Sequence, residues 1–150
     1  MMRIASLLLI ASITLPAYAQ APRNNALVLI EKTMAAHPEL NALTMHVTPP
    51  GSAENIIIAS NVAPYGKRAD SDDIALIDSC KAEIVKKPNR YGIGMCLMNS
   101  AGRKIGSLNI GFKYSAGDEI WKFDQKAKAI EAELASQIPN EAFLVAPAHD

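Results

Sequence analysis

The residues best suited to recognition chemistry lie in a segment without helical or strand periodicity, residues 61–73, with the sequence NVAPYGKRADSDD. Lys67 and Arg68 can hold a carboxylate or a phosphate through charge-assisted hydrogen bonds, and Arg68 can do so with two parallel bonds. Tyr65 adds a hydroxyl group nearby. The alternative is that both cations are solvated loop charges, balanced by three carboxylates of the same segment: Asp70, Asp72 and Asp73.

Two further polar residues lie in runs that are typical of strands. Tyr91 and Asn109 can each supply a hydrogen bond to a pocket that is otherwise mostly apolar. A core or surface role is the alternative for each of them. The candidate ligand-binding residues are therefore Tyr65, Lys67, Arg68, Tyr91 and Asn109.

Patterns that indicate catalysis or metal binding are missing from the sequence. The imidazoles of His37, His46 and His149 lack the i, i+4 spacing that directs two histidines at one metal ion. There is no Gly-x-Ser-x-Gly nucleophile motif and no Cys-x-x-Cys-His haem-attachment motif. We therefore expect no enzymatic activity, no bound metal and no cofactor.

The sequence has two cysteines, Cys80 and Cys96, whose spacing matches neither a redox Cys-x-x-Cys pair nor a zinc ribbon. A disulfide between them would close a loop of about 15 residues and stabilise the fold by about 3 kcal/mol. Two buried free thiols are the alternative, because cysteines are common in protein cores. The sequence leaves both states open.

The charge balance argues against a nucleic-acid partner. The 150 residues include 15 Lys+Arg and 15 Asp+Glu, and the basic residues form no segregated patch. Proteins that bind nucleic acids need a cationic surface to neutralise phosphates. We therefore expect no binding to DNA or RNA.

The N-terminus has the three parts of a secretory signal peptide: a basic start ending at Arg3, an apolar run over residues 4–15, and small residues at Ala17 and Ala19. The run is shorter than the roughly 20 apolar residues of a transmembrane helix. We expect cleavage after Ala19, which would leave residues 20–150 as one periplasmic or secreted domain. No later apolar run predicts a membrane span.

The elements that must position the candidate residues begin with a helix and a hairpin. Apolar residues at helical spacing predict a helix over residues 25–37, ended by Pro38. Residues 43–47 alternate between apolar and polar side chains, and residues 56–58 are three isoleucines. Both runs are typical of strands, and the Pro-Pro-Gly-Ser sequence between them favours a turn. An antiparallel hairpin follows.

The second half repeats this order of elements. A stripe of residues at three-to-four-residue spacing predicts a middle helix: Ile74, Ile77, Cys80 and Ile84. Residues 90–99 and 104–114 predict a second hairpin, and the stripe from residue 120 predicts a long helix ending near Pro139. Residues 143–145 predict a short edge strand. The order predicts an α+β domain in which N-terminal, middle and C-terminal helices flank an antiparallel sheet.

The second hairpin resembles a known family over the stretch GRKIGSLNIGF, residues 102–112. It is similar to the closing hairpin of PAS-like Cache sensor domains, and the YGKRADSDD segment resembles the corresponding loop of small exported single-domain Cache-like proteins. The resemblance implies sensing outside the cytoplasm of a small ligand, often an amino acid or carboxylate, between the sheet and that loop. Members that hold an amine commonly have Asp where this chain has Gly111.

Two functions are expected from these observations. The first is an exported, non-catalytic module that binds a small, anionic ligand such as a carboxylate through the candidate residues. The alternative is an interaction module whose interior is filled and whose surface docks on an envelope receptor or sensor protein. A cavity beside the 61–73 segment would favour the first.

Overall fold

The computed structural model describes residues 22–149, and the predicted signal peptide lies outside the described residues. Within this range the elements are α1 (Asn25–Ala36), β1 (Leu40–Val47), β2 (Ile56–Ser60), α2 (Ser71–Ser79), β3 (Glu83–Lys87), β4 (Arg90–Met98), β5 (Lys104–Lys113), α3 (Ile120–Gln137) and α4 (Glu141–Val145). No helix in residues 22–149 has both the length and the apolar character needed to cross a bilayer.

The five strands of the described chain form one antiparallel sheet in the order β2-β1-β5-β4-β3. Both predicted hairpins are confirmed, because β1 pairs with β2 and β4 pairs with β5. Strand β5 also pairs with β1, which joins the two hairpins into one sheet. The predicted α+β class, with helices flanking an antiparallel sheet, is confirmed.

One face of the sheet carries the hydrophobic core. Helices α1 and α3 cover this face, and α4 packs against α1. Phe112 and Tyr91 contact Phe123 of α3, with ring centroids 5.1 and 5.3 Å apart. The apolar stripe of α3 is buried as predicted, at Ala127, Ile130 and Leu134.

The opposite face is polar at its centre. In the β1–β5 register, Thr44 lies opposite Asn109 and His46 lies opposite Ser107. Residues directly opposite each other in an antiparallel pair share a face, so these four side chains lie together. Helix α2 and the segment before it, residues 61–70, which we call the connector, lie over this polar face.

The middle helix is shorter than its apolar stripe predicts. Helix α2 ends at Ser79, because Cys80 adopts the left-handed backbone region with a φ of 50°. Ile84, predicted to continue the stripe, lies instead in β3, the edge strand beside β4. The neighbouring β-branched residues Ile84 and Val85 favour a strand. The predicted stripe therefore joined residues of α2 to a residue of β3.

The predicted edge strand at residues 143–145 is wrong, because these residues belong to helix α4. The side-chain oxygen of Asn140 accepts a hydrogen bond from the Phe143 amide at 2.9 Å and so caps the helix. The side-chain amide of Asn25, through Nδ2, donates to the Phe143 carbonyl at 2.9 Å, and Leu144 is buried in the core. Capping and packing against α1 thus favour a helix.

Candidate ligand-binding groove

An open groove of about 320 Å³ lies between the polar face of the sheet and the cover formed by the connector and α2. Its floor is formed by β1, β3, β4 and β5, and includes Thr44, His46 and Asn109. Its other wall includes Lys67 of the connector and Asp73 of α2. The groove therefore lies where the sequence resemblance places a pocket.

A hydrogen-bonded cluster on the floor links the sheet to α2. The Nδ1 atom of His46 lies 3.3 Å from Asp73 Oδ1, 3.3 Å from Ser107 Oγ and 3.4 Å from Asn109 Nδ2. The Asn109 amide also donates to Asp73 Oδ1 at 3.3 Å. Strands β1 and β5 thus hold the first turn of α2 through polar side chains.

The buried imidazole of this cluster is largely uncharged at neutral pH. Burial lowers the pKa of His46 below its ordinary value of 6.5, although the Asp73 and Asp70 carboxylates act in the opposite direction. Lys67 lowers the pKa of His46 further. His46 therefore acts in the cluster mainly as a neutral hydrogen-bonding group.

The carboxylates at the start of α2 are occupied by a capping box. Asp70 Oδ1 accepts the backbone N–H groups of Asp72 and Asp73 at 3.1 and 3.0 Å, and Asp73 Oδ2 accepts the N–H of Asp70 at 3.2 Å. The N–H donors, above all that of Asp73, lower the pKa of Asp70. Two acidic side chains of the groove are therefore committed to fixing the helix.

Three cationic side chains around the groove have no such commitment. In residues 22–149, Lys67, Lys87 and Arg90 make no hydrogen bond or ion pair through their side chains. Glu83, on the same side of the groove as Lys87, is likewise without one. Within the described chain, the groove thus offers three cations without a hydrogen bond or ion pair, beside the carboxylates of Asp72 and Glu83.

Arg90 also occupies the space beside Gly111. A Cβ atom built on Gly111 would lie 2.9 Å from Arg90 Nε and 2.7 Å from Asn41 Oδ1. The resemblance to amine-holding Cache domains would place an Asp at this position, where the present chain has Gly111. The structure shows a guanidinium next to that position, which reverses the local charge.

The predicted ligand-binding residues of the connector separate in the structure. Lys67 lines the groove. Arg68 does not, because its side chain is 75% exposed and forms an ion pair with Glu54. Tyr65 is 40% exposed and is not part of the groove wall.

The two predicted residues on the sheet separate as well. Asn109 lies on the groove floor, but Tyr91 points to the opposite face and is only 1% exposed. The Tyr91 hydroxyl donates to Asp124 of α3 at 3.3 Å, and burial raises the pKa of Tyr91. Side chains alternate along β4, so that Gly92 and Gly94 face the groove and Tyr91 cannot. The expectation of a ligand contact from Tyr91 does not fit this position.

The sequence interpretation missed His46, Asp73, Lys87 and Arg90 as groove residues. His46 carried a usable signal, because it alternates with the apolar Met45 and Val47 and so must face away from the core. The Asp70 and Asp73 spacing also matches a capping box. Lys87 carried no signal, because its segment was predicted as helix rather than strand. Arg90, by contrast, lies in the predicted strand 90–99, on the face opposite Tyr91.

The two cysteines form a disulfide, which decides between the states that the sequence left open. Cys80 follows α2 and Cys96 lies in β4, with Cα atoms 5.2 Å apart. Leu76 is the only fully buried side chain of α2, and its burial contributes about 1.5–3 kcal/mol to the free energy of unfolding. A disulfide that closes such a loop stabilises the folded chain by about 3 kcal/mol, which is at least as much as the burial of Leu76.

Comparison with known proteins shows likeness in structure only. No protein-family model matches the sequence, and no curated protein matches it. A protein assigned as a GAF sensor from Burkholderia vietnamiensis superposes with a TM-score of 0.54 at 13% identity, over 79% of this chain and 77% of that one. The likeness is one of fold.

Two further solved structures are similar to the same extent. The repressor BlcR of Agobacterium tumefaciens has a TM-score of 0.51 at 11% identity, covering 77% of this chain and 68% of that chain. A protein assigned as an IclR-family transcriptional regulator from Rhodococcus sp. has a TM-score of 0.50 at 13% identity, covering 83% and 66%. The likeness supports the predicted α+β fold.

Proposed function

We propose that this protein is an exported, non-catalytic, Cache-like module that binds a small anionic ligand, such as a carboxylate, in the groove. The observation that carries the proposal is a set of three cations at the groove whose side chains make no hydrogen bond or ion pair within residues 22–149: Lys67, Lys87 and Arg90. The volume of about 320 Å³ is at the lower end of the range of small-molecule sites, about 300–1,000 Å³.

The arrangement of charges supports an anion over an amine. Asp70 and Asp73 already accept hydrogen bonds within the first turn of α2, and Arg90 lies beside the position where amine-holding relatives have Asp. An amine entering the groove would meet these three cations as well as the carboxylates of Asp72 and Glu83. A carboxylate would instead form charge-assisted hydrogen bonds with the cations.

A ligand screen tests the proposal directly. Each small carboxylate is paired with its primary amide, which has nearly the same size and no charge. A carboxylate at 100 times its Kd should raise the free energy of unfolding by about 2.7 kcal/mol, measured as a thermal shift, and its amide should not. Stabilisation by amines or amides alone, or by nothing in a broad panel, would contradict an anion site.

Adjacent basic residues provide a matched pair of variants for any hit. Lys67→Ala removes a cation that lines the groove, whereas Arg68→Ala removes one that is paired with Glu54 outside it. We expect the carboxylate to lose affinity in Lys67→Ala and to keep it in Arg68→Ala. Equal losses in both variants would place the ligand elsewhere.

Export is proposed from the signal-peptide pattern of residues 1–19, and the disulfide supports it because such bonds persist in oxidising compartments. Expression in a bacterial host followed by fractionation tests this point. The exported protein should have the intact mass of residues 20–150 with both cysteines oxidised. A mass that retains residues 1–19 would contradict cleavage.

The alternative of an envelope docking module requires a filled interior. The open groove favours the ligand proposal over it. A panel without any hit, combined with stoichiometric binding to one purified envelope receptor or sensor, would reverse this preference.

A further inference from the structure

Helix α2 is the weakly packed wall of the groove. None of its residues belongs to the hydrophobic core cluster of the described chain, and Leu76 is its one fully buried side chain. At its first turn α2 is held by the contacts of Asp73 with His46 and Asn109. The helix thus depends on attachments at its two ends.

Two neighbouring hollows adjoin this helix. The groove adjoins its first turn, and a second hollow of about 210 Å³ lies between α2 and β3. Asp72 and Glu83 line both hollows, and Leu76 and Ser79 line the second. A small outward movement of α2 would therefore join the two spaces.

The C-terminal end of α2 is held by one covalent bond and one exposed hydrogen bond. Cys80 is bonded to Cys96 of β4, and Lys104 Nζ donates to the Ile77 carbonyl at 2.6 Å. Cys80 is exposed, whereas Cys96 is buried. The bond thus joins an exposed residue that follows α2 to a buried residue of the sheet.

We propose that the Cys80–Cys96 disulfide is a redox latch of the groove: a dithiol reductant opens it, releases the C-terminal end of α2, and so changes ligand binding. The effect on ligand binding rests on the proposed function, whereas the release of α2 does not. Because the core lies on the other face of the sheet, release leaves the rest of the fold intact.

The chemical step is thiol–disulfide exchange with the reductant's two thiols. A thiolate of the reductant attacks the exposed Cys80 Sγ, and the Cys96 sulfur leaves as a thiolate and takes up a proton. The second thiol of the reductant, as thiolate, then attacks its own sulfur in the mixed disulfide and displaces Cys80 as a thiolate, which is protonated. The protein gains two thiols and the reductant becomes a disulfide.

Amide hydrogen exchange of the whole protein, followed by mass spectrometry with and without dithiothreitol, tests the latch. Reduction removes the covalent attachment at the C-terminal end of α2, so exchange of the α2 amides should accelerate several-fold. Exchange in α3 should not change. Reoxidation should restore the protection of α2.

Several results would overturn the proposal. One is that dithiothreitol leaves both cysteines oxidised in the native protein, as measured by thiol counting. Another is that α2 keeps its protection after reduction. Equal acceleration in α2 and α3 would show global unfolding and a purely structural bond. The Cys80→Ser/Cys96→Ser variant should reproduce the reduced state, and the reduction of wild-type protein decides the question if that variant does not fold.

The ligand measurement is separate from the exchange measurement. The Kd of a carboxylate identified by the screen is determined for oxidised and reduced protein, and a difference of several-fold is expected. Equal Kd values would overturn the control of binding, even if α2 is released. If oxidised protein binds no carboxylate, the proposed function fails while hydrogen exchange still decides whether α2 is latched.

Discussion

The two faces of the sheet are built from the same strands and differ in what covers them. On the apolar face, α1, α3 and α4 bury a continuous cluster that includes Phe112, Leu108 and Leu134. On the groove face, α2 buries only Leu76 and is otherwise held by a polar cluster and a disulfide. Stability is thus concentrated on one face, and the other is left open to solvent and ligands.

This difference has a physical origin in strand alternation. Adjacent residues of β4 and β5 point in opposite directions, so Ile110 and Phe112 serve the core while Asn109 and Gly111 face the groove. The β4–β5 hairpin therefore supplies alternate residues to the core and to the groove face. Changes on the groove face should alter binding and the position of α2, and should lower the free energy of unfolding less than truncation of a large core side chain does.

The largest expected effect comes from the core. Phe112→Ala removes a side chain that is 0% exposed, and we expect a loss of about 3–5 kcal/mol in the free energy of unfolding. The control is Val85→Ala on the groove face, where the side chain is 46% exposed and the loss should be about 0.5 kcal/mol. Urea denaturation measures both. Comparable losses would show that the two faces share the stabilisation.

The elements of the apolar face were predictable because their signals are local. The patterns of α1, α3 and β1 repeat within a few residues. Burial follows the α3 stripe, whereas of the α1 stripe Leu27, Ile30 and Met34 only Ile30 is buried, and β1 is buried on both faces. A cluster such as Ala127, Ile130 and Leu134 needs no knowledge of its partner to be recognised. Much of the core could therefore be predicted from the sequence.

The groove was less predictable because it depends on pairing between distant segments. The contact of His46 with Asp73 requires the register of β1 against β5 and the position of α2, neither of which periodicity reveals. Strand β3 was mistaken for helix because it is exposed on both faces and has no alternating pattern. Lys87 was therefore not recognised. Arg90 and Tyr91 lie in the predicted strand β4, but the sequence alone did not show which of its faces meets the groove.

Two glycines of β4 provide a finer test of the groove face. A Cβ atom at Gly94 would lie 2.8 Å from Asn109 Oδ1 and 3.0 Å from a Leu76 methyl group, whereas at Gly92 the nearest atom, the Val85 carbonyl oxygen, is 3.4 Å away. We expect Gly94→Ala to push Asn109 and α2 outward and to cost about 1–3 kcal/mol. Gly92→Ala is the matched control and should be close to neutral.

Hydrogen exchange distinguishes this outcome from a general loss of stability. In Gly94→Ala the amides of α2 should exchange faster, while those of α3 keep their protection relative to the global free energy of unfolding. If the two glycine variants behave alike, then α2 does not rest on the Asn109 side of the groove floor.

The smallest expected change is the pH dependence that His46 confers on the groove face. Because burial lowers its pKa in the folded protein below 6.5, the unfolded chain binds more protons than the folded one in that range. The contribution of His46 to stability is therefore complete above its unfolded pKa and decreases as the pH falls towards the folded pKa. Asp73, Asp70 and Lys67 are the charged groups that surround it.

Urea denaturation between about pH 7.5 and about pH 5.5 measures this dependence. Wild-type protein should lose stability as the pH falls through the window, and His46→Gln should show a flatter profile because it removes the titrating group. His149→Gln, in the exposed tail, controls for the loss of an imidazole as such. A profile that is equally steep in His46→Gln and wild type would mean that protonation acts elsewhere, and that the polar cluster does not couple α2 to the sheet.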